Sequence, residues 1–120
     1  MVFIIWNRGM EKINMAIIID DQYRIFTLQT KNSTYQIRAD AQNVLLHTYY
    51  GEKTDNSDKS LLLYRADRGF SGNPYEMGKR DRTYSMDSLP QEYSSFGTGD
   101  YRITSFREQN RDGSQAVELR

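Results

Sequence analysis

Tyr23-Arg24-Ile25-Phe26-Thr27-Leu28-Gln29-Thr30, then Lys31-Asn32-Ser33, then Thr34-Tyr35-Gln36-Ile37-Arg38: this stretch decides the fold. Its first part is rich in β-branched and aromatic residues with partial alternation. Its last part alternates cleanly, with Tyr35 and Ile37 on one side and Gln36 on the other. Period-2 patterning of this kind marks strands. Lys31-Asn32-Ser33 supplies turn formers, so the two runs read as a β-hairpin.

Working outward, Asp40-Ala41-Gln42-Asn43 reads as a turn, and Val44 to Tyr50 as a third strand that ends at Gly51. Upstream, Ile17 to Asp20 is a short apolar run of strand type. Glu52 to Ser60 is polar and reads as a solvent loop. Leu61-Leu62-Leu63-Tyr64 is short and apolar, either a strand or a buried turn. Arg65 to Gly99 has little periodicity, both prolines of the chain and several glycines. Structureless spans of this length usually serve function or contact another part of a protein. Tyr101 to Phe106 resumes strand character. Asn110-Arg111-Asp112-Gly113 is a turn signal, with Ala116 to Leu119 expected to pair back. No long amphipathic helix is evident.

The chain has 120 residues, which favours one domain. Its hydrophobic fraction is 38%, and 12% of its residues are aromatic, which argues for packed structure rather than disorder. Sixteen basic residues balance sixteen acidic ones, so no long-range field draws it to nucleic acid or anionic lipid. Tyr64, Phe70, Tyr75 and Tyr84 interleave with Arg65, Arg68, Lys79, Arg80 and Arg82, a pattern that single-strand binders use. Asp67, Glu76 and Asp81 dilute the charge there, so nucleic acid is not an expected partner. The chain has no cysteine and one histidine, His47, so neither a disulfide nor a thiolate or histidine metal cluster is expected. No cofactor is implied. The apolar run Val2 to Trp6 is too short for a signal-peptide core or a membrane span. The cysteine-free composition fits a cytoplasmic protein.

Residues 1–14 differ in character from the rest of the chain and are expected to lie outside the fold. Met10-Glu11-Lys12 stands just before Met15, as a purine-rich ribosome-binding stretch would before a start codon. Translation is therefore expected to begin at Met15. A native peptide spanning Val2 to Lys12 would contradict that.

The chain resembles the N-terminal region of the α-galactosidases of glycoside hydrolase family 36. The carrying segments are Leu46-His47-Thr48-Tyr49-Tyr50-Gly51 and Asp67-Arg68-Gly69-Phe70-Ser71-Gly72-Asn73-Pro74. The longest is Arg82-Thr83-Tyr84-Ser85-Met86-Asp87-Ser88-Leu89-Pro90-Gln91-Glu92-Tyr93, running into Gly97-Thr98-Gly99-Asp100-Tyr101-Arg102. The likeness covers residues 15–120. It implies an all-β fold, a partial antiparallel β-sandwich of the supersandwich, galactose-mutarotase-like kind. Residues 15–120 would be an incomplete N-terminal domain, since the sequence stops at Arg120 in strand-like residues.

The resemblance also implies a parent enzyme that hydrolyses terminal α-galactosides such as melibiose and raffinose-type sugars. Its catalytic (β/α)8 barrel carries two aspartates as nucleophile and acid/base. Neither matches any residue here, so no residue of this chain is assigned as catalytic and the chain alone is expected to be inactive. Its role would be to support that barrel and an oligomer, a tetramer in bacterial relatives, where this domain reaches a neighbour's active site. The alternative is a free-standing β-sandwich carbohydrate-binding module.

Retaining glycosidases need two carboxyls about 5 Å apart. Asp20 and Asp21 are neighbours on opposite sides of a strand, and Asp55 and Asp58 lie in a polar loop, so all four read as solvated surface groups. His47 reads as a hydrogen-bonded structural histidine. Gly97-Thr98-Gly99 lacks the lysine and helix of a phosphate cradle and reads as a tight turn. Asp67, Arg68 and Phe70 are the candidate substrate-binding residues, acting across a subunit interface. The Arg68 guanidinium fork suits sugar hydroxyls or a carboxylate, and Phe70 suits the apolar face of a pyranose. An internal ion network, Asp67–Arg68 or Arg65–Asp67, that pins a loop remains open beside it.

Overall fold

A computed structural model describes residues 2–4, 15–67, 81–96 and 99–115. It falls into two compact units, Met1–Leu63 and Tyr64–Arg120. The expectation of an all-β fold holds.

The first unit is one antiparallel sheet in sequential order: β1 (Val2–Ile4), β2 (Ala16–Asp20), β3 (Ile25–Gln29), β4 (Ser33–Ala39) and β5 (Leu45–Glu52). β1 takes three residues from the segment that the sequence reading sets outside the fold, pairing Val2, Phe3 and Ile4 with Ile18, Ile17 and Ala16. The β3–β4 hairpin forms where the alternation places it, with Ile25 opposite Arg38 and Gln29 opposite Thr34. At its tip the Thr30 hydroxyl accepts from the N–H groups of Asn32 and Ser33. Asp40 caps the next turn, its Oδ1 accepting from Gln42 and Val44. Asn43 closes that turn at φ 62°, a left-handed conformation that asparagine tolerates. A register shift between Gln36 and Ile37 adds a β-bulge against β5.

The two faces of this sheet divide against the usual rule, by which the apolar face is packed and the polar face solvated. Register sets Ile17, Leu28, Tyr35 and Tyr50 in one cross-strand row and Ile19, Phe26, Ile37 and His47 in the next. None of these side chains is buried. On the opposite face Thr27, Thr34, Gln36 and Thr48 are buried, beside Ile25 and Leu46. The segment 53–60 closes over that polar face. Thr54 bonds through its N–H and C=O to the Thr34 hydroxyl, and its C=O also accepts from Gln29. The solvent loop expected at Glu52 to Ser60 is thus only half correct. Asp55, Asn56, Ser57 and Asp58 are exposed, but the backbone of the segment is bonded into the sheet.

Ser60–Leu62 then makes a 3₁₀ turn. Leu61 is 96% exposed and Leu62 and Tyr64 are exposed too, so the apolar run there is neither strand nor buried turn.

In the second unit the described residues are irregular. Tyr84, Met86 and Leu89 form its buried apolar centre. The strand expected at Tyr101 to Phe106 is reduced to one parallel bridge, Ser95 to Phe106, with Ser94 C=O accepting from the N–H groups of Ser105 and Phe106. In the same segment the Arg102 guanidinium donates to the carbonyls of Met86 and Leu89. The turn at Asn110 to Gly113 forms as read, with Gly113 at φ 85° donating to Asn110 C=O. The partner expected at Ala116 to Leu119 lies outside the described residues. No helix among the described residues is long and apolar enough to cross a membrane.

Candidate functional site

Of the candidate residues Asp67 is described, and it lies in the second unit. Asp81 opens a local turn there. Its Oδ1 accepts from the Thr83 N–H at 2.9 Å and the Thr83 hydroxyl at 2.6 Å, and its backbone C=O accepts from Tyr84 N–H. Those two Thr83 bonds, with the Arg65 charge beside them, hold the Asp81 carboxyl below the usual carboxylate range. Its other oxygen, Oδ2, receives Arg65 at 3.1 Å.

A second ion pair lies alongside. The Asp67 Oδ2 meets the Arg82 Nε at 3.3 Å. Residues 65–67 are therefore joined to residues 81–82 by two ion pairs of opposite sense. Arg65 pairs with Asp81 rather than with Asp67, and the Asp67–Arg68 alternative falls on a residue outside the described ones. Of the three candidate substrate-binding residues, Asp67 is thus paired with Arg82. Arg68 and Phe70 lie outside the described residues.

The remaining carboxylates read as surface groups serve local turns. The Asp20 Oδ1 accepts from Tyr23 N–H, and Asp58 binds Arg38 at 2.6 Å and the Ser60 N–H. Asp55 accepts from Lys59 and from the Ser57 hydroxyl and N–H, in that order of effect, which holds its carboxyl at about 2. Asp100 is buried. Burial alone would raise its pKa, but the bidentate Arg102 guanidinium and the Arg102 N–H outweigh that and lower it. Asp112 is lowered by the N–H and hydroxyl of Ser114. A glycosidase proton donor needs the opposite, a carboxyl held protonated toward neutral pH. His47 packs its ring on Tyr35, with centroids 5.1 Å apart, in keeping with a structural role. Among the described residues no group of three His, Asp or Glu side chains could hold a metal ion.

Sequence reasoning missed the distant partners Asp81 and Arg82. The only local signal was the Asp-x-Thr spacing of Asp81 and Thr83, which favours such a turn. It also missed the exposed apolar group Tyr93, Phe96, Tyr101 and Ile103, the last 99% exposed. Phe96 carries the Arg107 guanidinium 4.9 Å from its ring centre, and Tyr93 stacks on Phe106.

Residues 43–120 match the glycosyl hydrolase family 36 N-terminal domain. The bifunctional α-galactosidase/sucrose kinase AgaSK of Mediterraneibacter gnavus is 54% identical over 105 residues, 88% of this chain and 11% of that protein. The α-galactosidase Mel36A of Lactobacillus acidophilus is 42% identical over 100 residues, 83% of this chain and 13% of that one. The solved galactosidase domain of AgaSK superposes with a TM-score of 0.76 at 53% identity, over 85% of this chain and 14% of that one. The chain spans about a ninth to a seventh of the length of the curated relatives it matches.

Proposed function

The chain belongs to glycosyl hydrolase family 36, whose N-terminal domain it carries, and on that premise we propose that it is a non-catalytic β domain of α-galactosidase action. Its task in this reading is to support a catalytic (β/α)8 barrel and to supply part of the rim of an oligomer, a tetramer, at which terminal α-galactosides of the melibiose and raffinose type are hydrolysed. Arg68 and Phe70 are the residues proposed to reach sugar across a subunit boundary, with Asp67 beside them. A cytoplasmic place is proposed with it, on the cysteine-free composition.

One observation carries the non-catalytic part. Among the described residues every carboxyl with a displaced pKa is displaced downward, each by donors that also build a turn. Such groups are fixed as anions, and an acetal needs a proton donor facing a nucleophile.

The test is release of galactose from an aryl α-galactoside by the purified chain. None above the blank is expected. Co-expression with a family 36 α-galactosidase that lacks the matching N-terminal region is expected to restore activity. Turnover by the chain alone would refute the proposal.

One feature favours a second reading, the free-standing sugar-binding module. Tyr35 touches both His47 and Tyr50, at 5.1 and 6.1 Å between ring centres, and Tyr50 is 71% exposed. Saturable binding of raffinose by the chain alone, lost in Tyr50→Ala, would support it.

A further inference from the structure

We propose that Asp112–Gly113 is a site of spontaneous aspartate isomerisation, and that the closed turn of residues 110–114 sets its rate. Asp112 is the only aspartate of the chain that a glycine follows. The turn around it is exposed throughout. Gly113 stands at φ 85°, and among the described residues none beyond its chain neighbours comes within 4 Å of the place a Cβ would take. Neither a side chain on Gly113 nor one from further along the described chain hinders the approach of the Asp112 carboxyl carbon to the Gly113 nitrogen.

The reaction conserves atoms and takes no partner but water. The Gly113 nitrogen attacks the protonated Asp112 carboxyl. A C–N bond forms, a C–O bond breaks, the nitrogen gives up its proton and one water leaves. The product is a five-membered cyclic imide. Water then adds back. Addition at the side-chain carbonyl restores aspartate. Addition at the main-chain carbonyl leaves the peptide running through Cβ with a free α-carboxylate, which is isoaspartate.

The turn restrains each group that this reaction must free. The Gly113 N–H, whose proton has to go, donates to Asn110 C=O at 3.0 Å. The Asp112 Oδ1 accepts from the Ser114 N–H at 2.9 Å, an Asx-type contact that fixes the carboxyl in place. The Ser114 N–H and hydroxyl, in that order of effect, lower the Asp112 pKa, so less of the carboxyl is in the protonated form that loses water. Two further bonds close the loop. Asn110 N–H donates to Ser114 C=O at 2.9 Å, and Asn110 Nδ2 donates to Ser114 Oγ at 3.0 Å. Ser114 is thus a positioning residue, bonded both to the reacting carboxyl and to the other end of the turn. All these bonds lie at the surface, where each contributes little net stability, so the turn slows the reaction without stopping it. Isoaspartate adds one carbon to the main chain between residues 112 and 113. The bonds from residue 110 to residues 113 and 114 then cannot all reform. None of this rests on the α-galactosidase reading.

Ageing the intact chain in mildly acidic buffer, beside a free peptide of residues 108–115, tests it. Isomerisation leaves the mass unchanged, so isoaspartate is located by electron-transfer fragmentation and counted by enzymatic methylation of its α-carboxylate. Asp112 is expected to isomerise about tenfold more slowly in the chain than in the peptide. In strong guanidinium chloride the wild-type chain should reach the peptide rate, a comparison that needs no variant to fold. Ser114→Ala, divided by the rate of its own matching peptide, should come to within about twofold of one. Isoaspartate at other aspartates but not at Asp112 would overturn the proposal. So would a wild-type chain as fast as its peptide, or a Ser114→Ala ratio no higher than that of the wild type.

Discussion

The backbone N–H of Lys59 donates to the side-chain Oε1 of Gln36 at 3.0 Å, across 23 residues of sequence. Gln36 is 0% exposed, and its amide uses its full capacity. Nε2 donates to the Thr27 hydroxyl at 2.9 Å and to Ser57 C=O at 3.0 Å, while Oε1 also takes the Thr48 hydroxyl at 3.2 Å. One side chain thus bolts β3, β4, β5 and the segment 53–60 together. Replacing it by leucine, similar in size but without donors, would leave the Lys59 N–H, Ser57 C=O and Thr27 hydroxyl without this partner in a dry place. Each such loss costs about 1–3 kcal/mol, less whatever water recovers. We expect Gln36→Leu to destabilise the sheet unit by about 3 kcal/mol in urea unfolding, with faster amide exchange at Lys59. A change within about 0.5 kcal/mol, the usual range for surface substitutions, would refute this hub.

The opposite face yields the second prediction. Ile17, Ile19, Phe26, Leu28, Tyr35 and Ile37 share it, and each is half-buried. Apolar area left in contact with water drives association, at about 25 cal/mol per Å² removed. The purified chain should therefore bind a hydrophobic dye, self-associate as concentration rises and melt over a broad range. Phe26→Lys with Ile37→Lys should cut dye binding severalfold and shift sedimentation to the monomer while the strand signal persists. A monodisperse wild-type monomer with a sharp cooperative melt would contradict it.

How far the sequence discloses this fold depends on the range of the forces involved. The hairpin about Lys31 to Ser33 and the turn at Asp40 to Asn43 are local matters, and alternation and turn chemistry reveal both. The buried polar face is not local. Thr27, Thr34 and Gln36 read as a solvated side of two strands until partners from residues 54–59 arrive to bond them. The same holds for the candidate site. That Asp and Arg side chains near residue 67 are set to pair is visible in the local charges. That the partners are Asp81 and Arg82 depends on loop closure that no spacing reports. Nor does alternation at Tyr101 to Phe106 report what the buried Asp100 carboxylate demands of Arg102, two residues on.

That demand sets the third prediction. Asp100, its side chain 2% exposed, is gripped by Arg102 through Nε and one terminal nitrogen, each at 2.9 Å. The same terminal nitrogen gathers Met86 C=O at 3.0 Å and Leu89 C=O at 2.7 Å, and Gln91 adds a bond to Asp100 at 3.0 Å. Arg102→Ala strands a buried anion and two carbonyls. We expect a loss of about 2–3 kcal/mol in the second unit, toward the low end because Arg102 itself is partly in water. Arg102→Lys should recover little, since an ammonium cannot match the planar fork. Recovery to within about 0.5 kcal/mol in urea unfolding would show that charge alone suffices.

The same pair fixes how the second unit responds to acid. The Asp100 pKa is lowered in the folded chain, as Arg102 overcomes the burial that would raise it. A carboxyl lowered on folding contributes stability that is complete above its unfolded value of about 4 and is lost as pH falls through the folded value. Asp81 and Asp112, in the same unit, are lowered too, so they act in the same direction. Their exposure makes each contribution smaller than that of Asp100. Stability of the second unit should therefore be level from neutral pH to about pH 4 and fall below it. In Arg102→Ala the buried carboxyl has lost its partner and favours the protonated form, so acid should cost that variant less. The wild-type and Arg102→Ala curves are thus expected to converge as pH drops below about 4. Curves that stay parallel across that range would show that Asp100 is not held ionised by Arg102, and that the clamp works through the Met86 and Leu89 carbonyls instead.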